Sequence, residues 1–309
     1  MSRPKIAVFG AGNVGATVVQ AVARMDLGDI VVIDIPQAGD MPKGKALDLE
    51  QAAPIVGYDA RITGSNDPAA IKGADIIVST AGFPRKPGMD RKDLIAMNAD
   101  IARGIGEAIK THAPNAIVIN VANPLDIICY VIQKTAGLPK ERILGMAGVL
   151  DTARFRAFIA EETGLSRLDI QAMVLGGHGD SMVPLVSTAS IGGVPLTTLI
   201  KPERLKAIVD RTRTGGGEIV KLLQKGSAYY APGEAAAQMV EAIIKDRKRV
   251  LPCAASLTGE YGFSGIFLGV PCVLGAKGCE RIIETPLSPD EAAALKNSAD
   301  EVQSGIALL

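Results

Sequence analysis

The sequence predicts an α/β fold: a doubly wound parallel sheet domain over residues 1–145, followed by an α+β domain with antiparallel strands over residues 146–309. Three observations predict it. Short Ile- and Val-rich runs, apolar on both faces, alternate with helix-length segments through the first half, as a parallel sheet covered on both sides requires. A glycine-rich turn separates the first run from the helix behind it. Past Gly145 the alternation gives way to short strands divided by glycine turns. At roughly 150 residues per domain, the chain is long enough for two.

The predicted parallel strands are Ile6–Phe9, Ile30–Ile35, Ile76–Thr80, Ala116–Val121 and Ile143–Leu144; Gly15–Met25, Met41–Gln51 and Leu94–Thr111 are the crossover helices. Beyond Gly145, Asp151–Thr163 reads as a helix. Ile170–Leu175 and Val183–Ser190 read as strands flanking Gly176-Gly177-His178-Gly179-Asp180, with a further hairpin at Gly192-Gly193. Lys201–Lys225 has helical spacing, but each glycine of Gly215-Gly216-Gly217 costs about 1 kcal/mol relative to alanine, so a bend or break is expected there. Pro232–Arg247 is an alanine-rich helix and Val250–Glu284 a set of strands and turns. Ser288-Pro289-Asp290-Glu291 opens a final helix with a serine N-cap, a proline at N1 and a capping-box glutamate.

Composition removes several classes of function. Thirty-three basic residues balance thirty-three acidic ones, so neither nucleic acid nor an anionic membrane offers a large electrostatic gain. Apolar residues at 48% and charged ones at 21% describe a globular chain. The richest apolar stretch, Ala116 to Ile132, is broken by Asn120, Asn123, Pro124 and Asp126 and is no membrane span. The N-terminal residues lack a secretory or transit pattern. Cys129, Cys253, Cys272 and Cys279 show neither a CxxC pair nor metal-ligand spacing, so they read as reduced core thiols of a cytoplasmic protein with no metal.

Gly10-Ala11-Gly12-Asn13-Val14-Gly15 is a GxGxxG between a predicted strand and a predicted helix. Its glycines allow a tight turn, close approach of backbone to a diphosphate, and close helix–strand packing, while the helix N-terminus faces the phosphates. Asp34 stands at the end of the second strand, where a carboxylate can accept hydrogen bonds from both hydroxyls of an adenosine ribose and would repel a 2′-phosphate. The pair makes this a Rossmann-type dinucleotide site for NAD in preference to NADP.

Asp151 and Arg154, three apart on a predicted helix, share one face; the spacing fits a surface ion pair as well as a functional pair. His178, flanked by glycines, has an accessible ring and a free backbone, as a turn histidine also would. Residues 81–91 follow a sheet strand and carry Arg85, Lys86 and Arg91 within seven residues, a pattern for an anion-binding lid or for a solvated basic loop. Asn123 ends the next strand at the same sheet edge.

With GAGNVG, VIDI, AGFPRKPGMDR, VANPLD, GVLDTARFR, GGHGD and GSAYYAPGEA in this order, the chain resembles the lactate/malate dehydrogenase family over essentially its whole length. The resemblance implies that His178 is the acid/base, Asp151 the carboxylate that orients it, Arg154 the clamp on the substrate α-carboxylate, and Arg91 the lid arginine that polarises the carbonyl. It implies that Asn123 lies beside the reacting oxygen and that Asn98 and Val121 contact the cofactor. Arg85 matches the position where malate-specific members carry arginine and lactate-specific ones glutamine, and Ala228 matches a small pocket-wall residue; both imply malate/oxaloacetate. It also implies a homo-oligomer, tetramer before dimer, working in the tricarboxylic acid cycle. The competing expectations are a lactate or broader 2-hydroxyacid dehydrogenase and, more distantly, a non-catalytic NAD-binding protein. His112 is expected to be structural.

Overall fold

The computed structural model describes residues 3–83 and 91–309, Arg91 by its backbone alone. The chain begins with β1 (Lys5–Phe9), α1 (Asn13–Arg24), β2 (Asp29–Ile33), α2 (Met41–Val56), β3 (Ile62–Ser65), β4 (Ile76–Ser79), α3 (Arg91–His112), β5 (Ile117–Asn120), α4 (Leu125–Ala136) and β6 (Ile143–Gly145). These strands lie parallel in the order β3-β2-β1-β4-β5-β6. The order reverses between β1 and β4, and the crevice at the carboxyl ends of those two strands is where such a sheet takes its ligand.

Two elements of this half escape the sequence reading. Strand β3 carries Thr63, Gly64 and Ser65, too short and polar to register as a buried run. Helix α4 sits inside what reads as one interrupted apolar stretch; Pro124 caps it, and its long buried face packs on β6 and on the later strand Ser264–Gly275. Strand β2 stops at Ile33, before the predicted Ile35; the Asp34 N–H still donates to the Ser65 carbonyl at 3.1 Å, while its side chain reaches the glycine turn.

The second half runs through α5 (Gly148–Thr163), β7 (Ile170–Gln171), β8 (Val174–Leu175), β9 (Val183–Pro184), β10 (Ser190–Ile191), β11 (Val194–Pro195), α6 (Leu196–Leu199), α7 (Pro202–Leu223), α8 (Tyr230–Ile244), β12 (Arg249–Thr258), β13 (Ser264–Gly275), β14 (Gly278–Ile282) and α9 (Pro289–Ile306). The predicted strand over residues 170–175 is thus two, β7 and β8, pairing with different partners. The hairpin at Gly192-Gly193 joins β10 to β11, and both bonds of the Ser288/Glu291 capping box are made. The long antiparallel strands β12, β13 and β14 extend the parallel sheet, joining it where Ala254 pairs with Gly145. One apolar core therefore runs from Ile6 and Val8 of β1 to Leu268 and Val270 of β13. All four cysteines are free and buried, Cys253, Cys272 and Cys279 in this core and Cys129 in the apolar cluster on the other face of the parallel sheet.

The expected break in α7 does not occur. The helix runs without interruption through Gly215-Gly216-Gly217, so their helix penalty is carried by packing: Gly215 and Gly216 face α5, where Arg154 needs room.

Candidate active site

At the carboxyl end of β1 the chain turns at Gly10, whose φ of +95° is open to glycine but strained for other residues. Its N–H donates to the Ile33 carbonyl at 2.7 Å, and a side chain there would strike the Thr80 hydroxyl, itself bonded to the Phe9 carbonyl at 2.9 Å. A side chain at Gly15 would collide with the Gly10 carbonyl oxygen. At Gly12 the space is open: a Cβ there would meet nothing within 4 Å. Gly12 is the N-cap of α1, with no side-chain cap and no acid in the first turn. The first-turn N–H groups of Asn13, Val14 and Gly15 and the positive end of the helix dipole are thus available to a diphosphate.

Asp34 accepts from the Ala11 N–H (2.7 Å) and from the Ile35 N–H (2.8 Å), one bond at each carboxylate oxygen. Each oxygen keeps lone-pair capacity, so the carboxylate is oriented by the turn and can still receive two ribose hydroxyls. These residues fit NAD. Val121 leaves the end of β5 beside them, its N–H on the Ser79 carbonyl at 2.8 Å. Asn98, on α3, is buried, and its amide is occupied: it accepts from the Phe83 N–H (2.7 Å) and donates to the carbonyls of Phe83 (3.0 Å) and Asn123 (2.7 Å). Its side chain ties the start of the 81–91 segment to Asn123.

Across the crevice, helix α5 presents Asp151 and Arg154, and the turn after β8 presents His178. The turn is held at three consecutive residues. Gly176 exchanges two backbone bonds with Gly269 of β13, the Gly177 N–H donates to Ser298 Oγ of α9 at 2.8 Å, and the His178 N–H donates to Asp126 Oδ2 of α4 at 3.0 Å. The ring then meets Asp151: Nδ1 lies 2.7 Å from Oδ2. A carboxylate only accepts, so Nδ1 carries the proton and Nε2 is left for the cavity.

Asp151 is 1% exposed, and its other oxygen accepts from Arg154 at 3.1 Å. The i, i+3 pair is therefore no surface ion pair. Arg154 uses one donor there, its Nε has no partner among the described residues, and the rest of the fork is open to a planar anion. Two of the three glycines of α7 flank it: a Cβ at Gly215 would stand 3.5 Å from the Arg154 Cδ, and one at Gly216 would stand 3.6 Å from both terminal guanidinium nitrogens.

Burial disfavours the charged imidazole of His178, but the charge and hydrogen bond of Asp151 outweigh it, and Asp126 adds to them. The ring's pKa lies above the ordinary 6.5 even against the nearby Arg154. Asp126 is pushed up to about 6 by burial, opposed by the bond from the His178 N–H. His178, Asn123, Asp126 and Gly217 line one cavity of about 710 Å³ among the described residues.

The structure thus brings together His178, Asp151, Arg154 and Asn123, and separately the glycine turn with Asp34. Arg85 lies outside the described residues, and of Arg91 only the backbone, first residue of α3, falls within them. His112 ends α3 at the opposite, amino edge of the sheet, just before β5. Sequence reasoning passed over Asp126 and Ser298. Asp126 stands in the VANPLD segment, three residues after Asn123, and a carboxyl in an otherwise apolar helix face is the signal that marks it.

Two family models match the chain: lactate/malate dehydrogenase, NAD binding domain, over residues 4–145, and lactate/malate dehydrogenase, alpha/beta C-terminal domain, over residues 148–308. A malate dehydrogenase of Roseiflexus sp. is 57% identical over 307 residues, covering 99% of each chain. Among solved structures, the malate dehydrogenase of Salinibacter ruber superposes with a TM-score of 0.94 at 50% identity, covering 98% of this chain and 97% of its own. The lactate dehydrogenase of Cryptosporidium parvum, complexed with lactic acid and nicotinamide adenine dinucleotide, gives a TM-score of 0.96 at 42% identity, covering 100% and 98%.

Proposed function

The chain belongs to the lactate/malate dehydrogenase family, and from that footing we propose that it is an NAD-dependent malate dehydrogenase, interconverting (S)-malate and oxaloacetate. The observation that carries the reading of the site is the linked set His178–Asp151–Arg154, with distances of 2.7 and 3.1 Å, of which His178 lines the cavity together with Asn123. In this reading residues 1–145 hold the cofactor through Gly10, Ala11, Gly12, Asn13, Val14, Gly15, Asp34, Asn98 and Val121. Residues 146–309 supply the acid/base and the α-carboxylate clamp. NAD(H), when bound, supplies or takes up the hydride.

The protein's own groups do the rest. Arg154 grips the α-carboxylate with the donors that Asp151 leaves free, which fixes the carbonyl in the cavity. Protonated His178 delivers its Nε2 proton to the carbonyl oxygen as the alkoxide charge develops; Asp151 stabilises the imidazolium beforehand and keeps the ring from flipping. Asn123, held through its carbonyl by Asn98, places its amide beside that oxygen. Arg91 adds positive charge to the same oxygen, and Arg85 meets the second carboxylate. In the other direction neutral His178 takes the hydroxyl proton.

An assay of NADH oxidation with oxaloacetate and with pyruvate tests this, and equal kcat/KM for the two acids would overturn the substrate assignment. A homotetramer in the cytoplasm serving the tricarboxylic acid cycle completes the proposal. Ile55 of α2, 87% exposed, and Leu168, 82% exposed, suit burial between subunits; sedimentation or gel filtration measures the state.

Two outcomes follow from the geometry. Reduction needs the protonated ring, so kcat/KM for oxaloacetate should fall as pH rises through the elevated His178 pKa, while malate oxidation rises over the same range. The His178 stabilisation of the fold follows the same sign: full below about 6.5, it is lost as pH climbs through the higher folded value. Asp151→Asn removes the charge that raises that pKa, so the descending limb of the reduction profile should move to lower pH. A limb that stays in place would remove Asp151 from its role.

Gly216→Val, in turn, puts methyl groups against the terminal nitrogens of Arg154. KM for oxaloacetate should rise about tenfold, equivalent to about 1.4 kcal/mol of lost binding, with KM for NADH unchanged. An unaltered KM would mean that the glycines serve packing alone.

A further inference from the structure

Helix α2 opens with Met41, Pro42, Lys43, Gly44 and Lys45 and has no acidic residue in its first turn. Cations near a helix N-terminus oppose the dipole, so they are not there to stabilise the helix. Lys43 is accounted for by its ion pair with Asp40 at 2.8 Å. Lys45 does something else. It crosses from α2 to the glycine turn, and its ammonium donates to the carbonyl of Ala11 at 2.6 Å, thirty-four residues away in sequence.

Ala11 is thereby held from two sides, by Asp34 on its N–H and by Lys45 on its C=O. In a trans peptide the carbonyl of one residue and the N–H of the next point in opposite directions. Fixing the Ala11 oxygen toward Lys45 therefore fixes the Gly12 N–H away from it, at the residue that borders open space. The start of α2 is itself rigidly placed. It lies so close to β3 that a side chain at Gly64 would collide with the backbone of Pro42 and Lys43, and the neighbouring Ala46 is 2% exposed. An ammonium has three donors, and the Ala11 bond uses one. The rest of its charge stands beside a turn built to receive a diphosphate.

We infer that Lys45 is a positioning residue of the dinucleotide site: by pinning the Ala11 carbonyl it orients the glycine turn for the adenosine-diphosphate half of the cofactor. The inference rests on the NAD reading of that turn. Lys45 acts on binding of the ADP moiety, remote from hydride and proton transfer.

Titration of the purified protein with ADP-ribose, which lacks the nicotinamide, is the test, followed by calorimetry and paired with steady-state kinetics. For Lys45→Met, the Kd of ADP-ribose and the KM for NADH should both rise about tenfold. KM for oxaloacetate should not move, and the melting temperature of the protein without ligand should stay within a degree or two of the parent. Lys45→Arg, which keeps charge and donors, should recover most of the affinity. An unchanged Kd in Lys45→Met overturns the inference. So does a weaker Kd accompanied by a large drop in melting temperature that Lys45→Arg does not repair, since that is a folding role. If the unaltered protein fails to bind ADP-ribose, the NAD reading of the turn fails instead.

Discussion

Replacing His178 with asparagine should lower kcat for oxaloacetate reduction by on the order of a thousandfold, inside the range that a positioned general acid supplies. Asparagine keeps the backbone N–H that bonds Asp126 Oδ2 at 3.0 Å, so the turn remains anchored at Gly176, Gly177 and residue 178. It removes the proton donor and leaves Asp151 facing an amide. The cofactor turn lies on other elements, so the Kd for NADH, read by fluorescence, should change less than twofold. A variant that retains a tenth of the parent rate would mean that another group, or a water, delivers the proton.

Arg85→Gln should exchange the substrates, lowering kcat/KM for oxaloacetate by two to three orders of magnitude and raising that for pyruvate. The cause is charge. In the proposed site, Arg85, Arg91, Arg154 and protonated His178 against Asp151 sum to about +3, and ionised Asp126, with a pKa of about 6, takes it to about +2 at neutral pH. A dicarboxylate neutralises that charge, whereas pyruvate leaves a cation unpaired, and an unpaired buried charge costs roughly 3–5 kcal/mol. Parallel kcat/KM measurements with both acids decide it; an unaltered ratio would place selection elsewhere, with Ala228 the next residue to change.

Much of this was legible in the chain before any coordinates. Alternating Ile/Val runs and helix-length segments have periods that survive without tertiary context, so the parallel half was readable to within two or three residues at most strand ends. GxGxxG with Asp34 is a local device: its turn, its helix N-terminus and its acid lie within twenty-five residues of each other. The capping box at Ser288 is equally local. The misses have one cause. Three glycines in α7 read as a break because propensity counts only the helix itself, whereas two of them, Gly215 and Gly216, answer to Arg154 on another helix. Strand β3 is an edge strand whose pairing with β2 was not visible in four polar-leaning residues. Asp126 read only as a break in an apolar stretch, because the bond that occupies it comes from fifty-two residues away.

From the sequence alone came the class of fold and the kind of cofactor, because spacing and order along the chain carry those, while the residues for the chemistry came from the resemblance of its motifs to a known family. Which atoms of those residues are free was decided only by the folded molecule. Ring Nδ1 of His178 is taken by a carboxylate twenty-seven positions away, and the loop beneath it is held by a serine 121 positions from Gly177. The Asn98 amide is filled by backbone, while Arg154 keeps most of its donors open. Hydrogen-bond capacity is local to a side chain, but its satisfaction depends on whatever the fold brings within 3 Å, and that is a property of the packed structure.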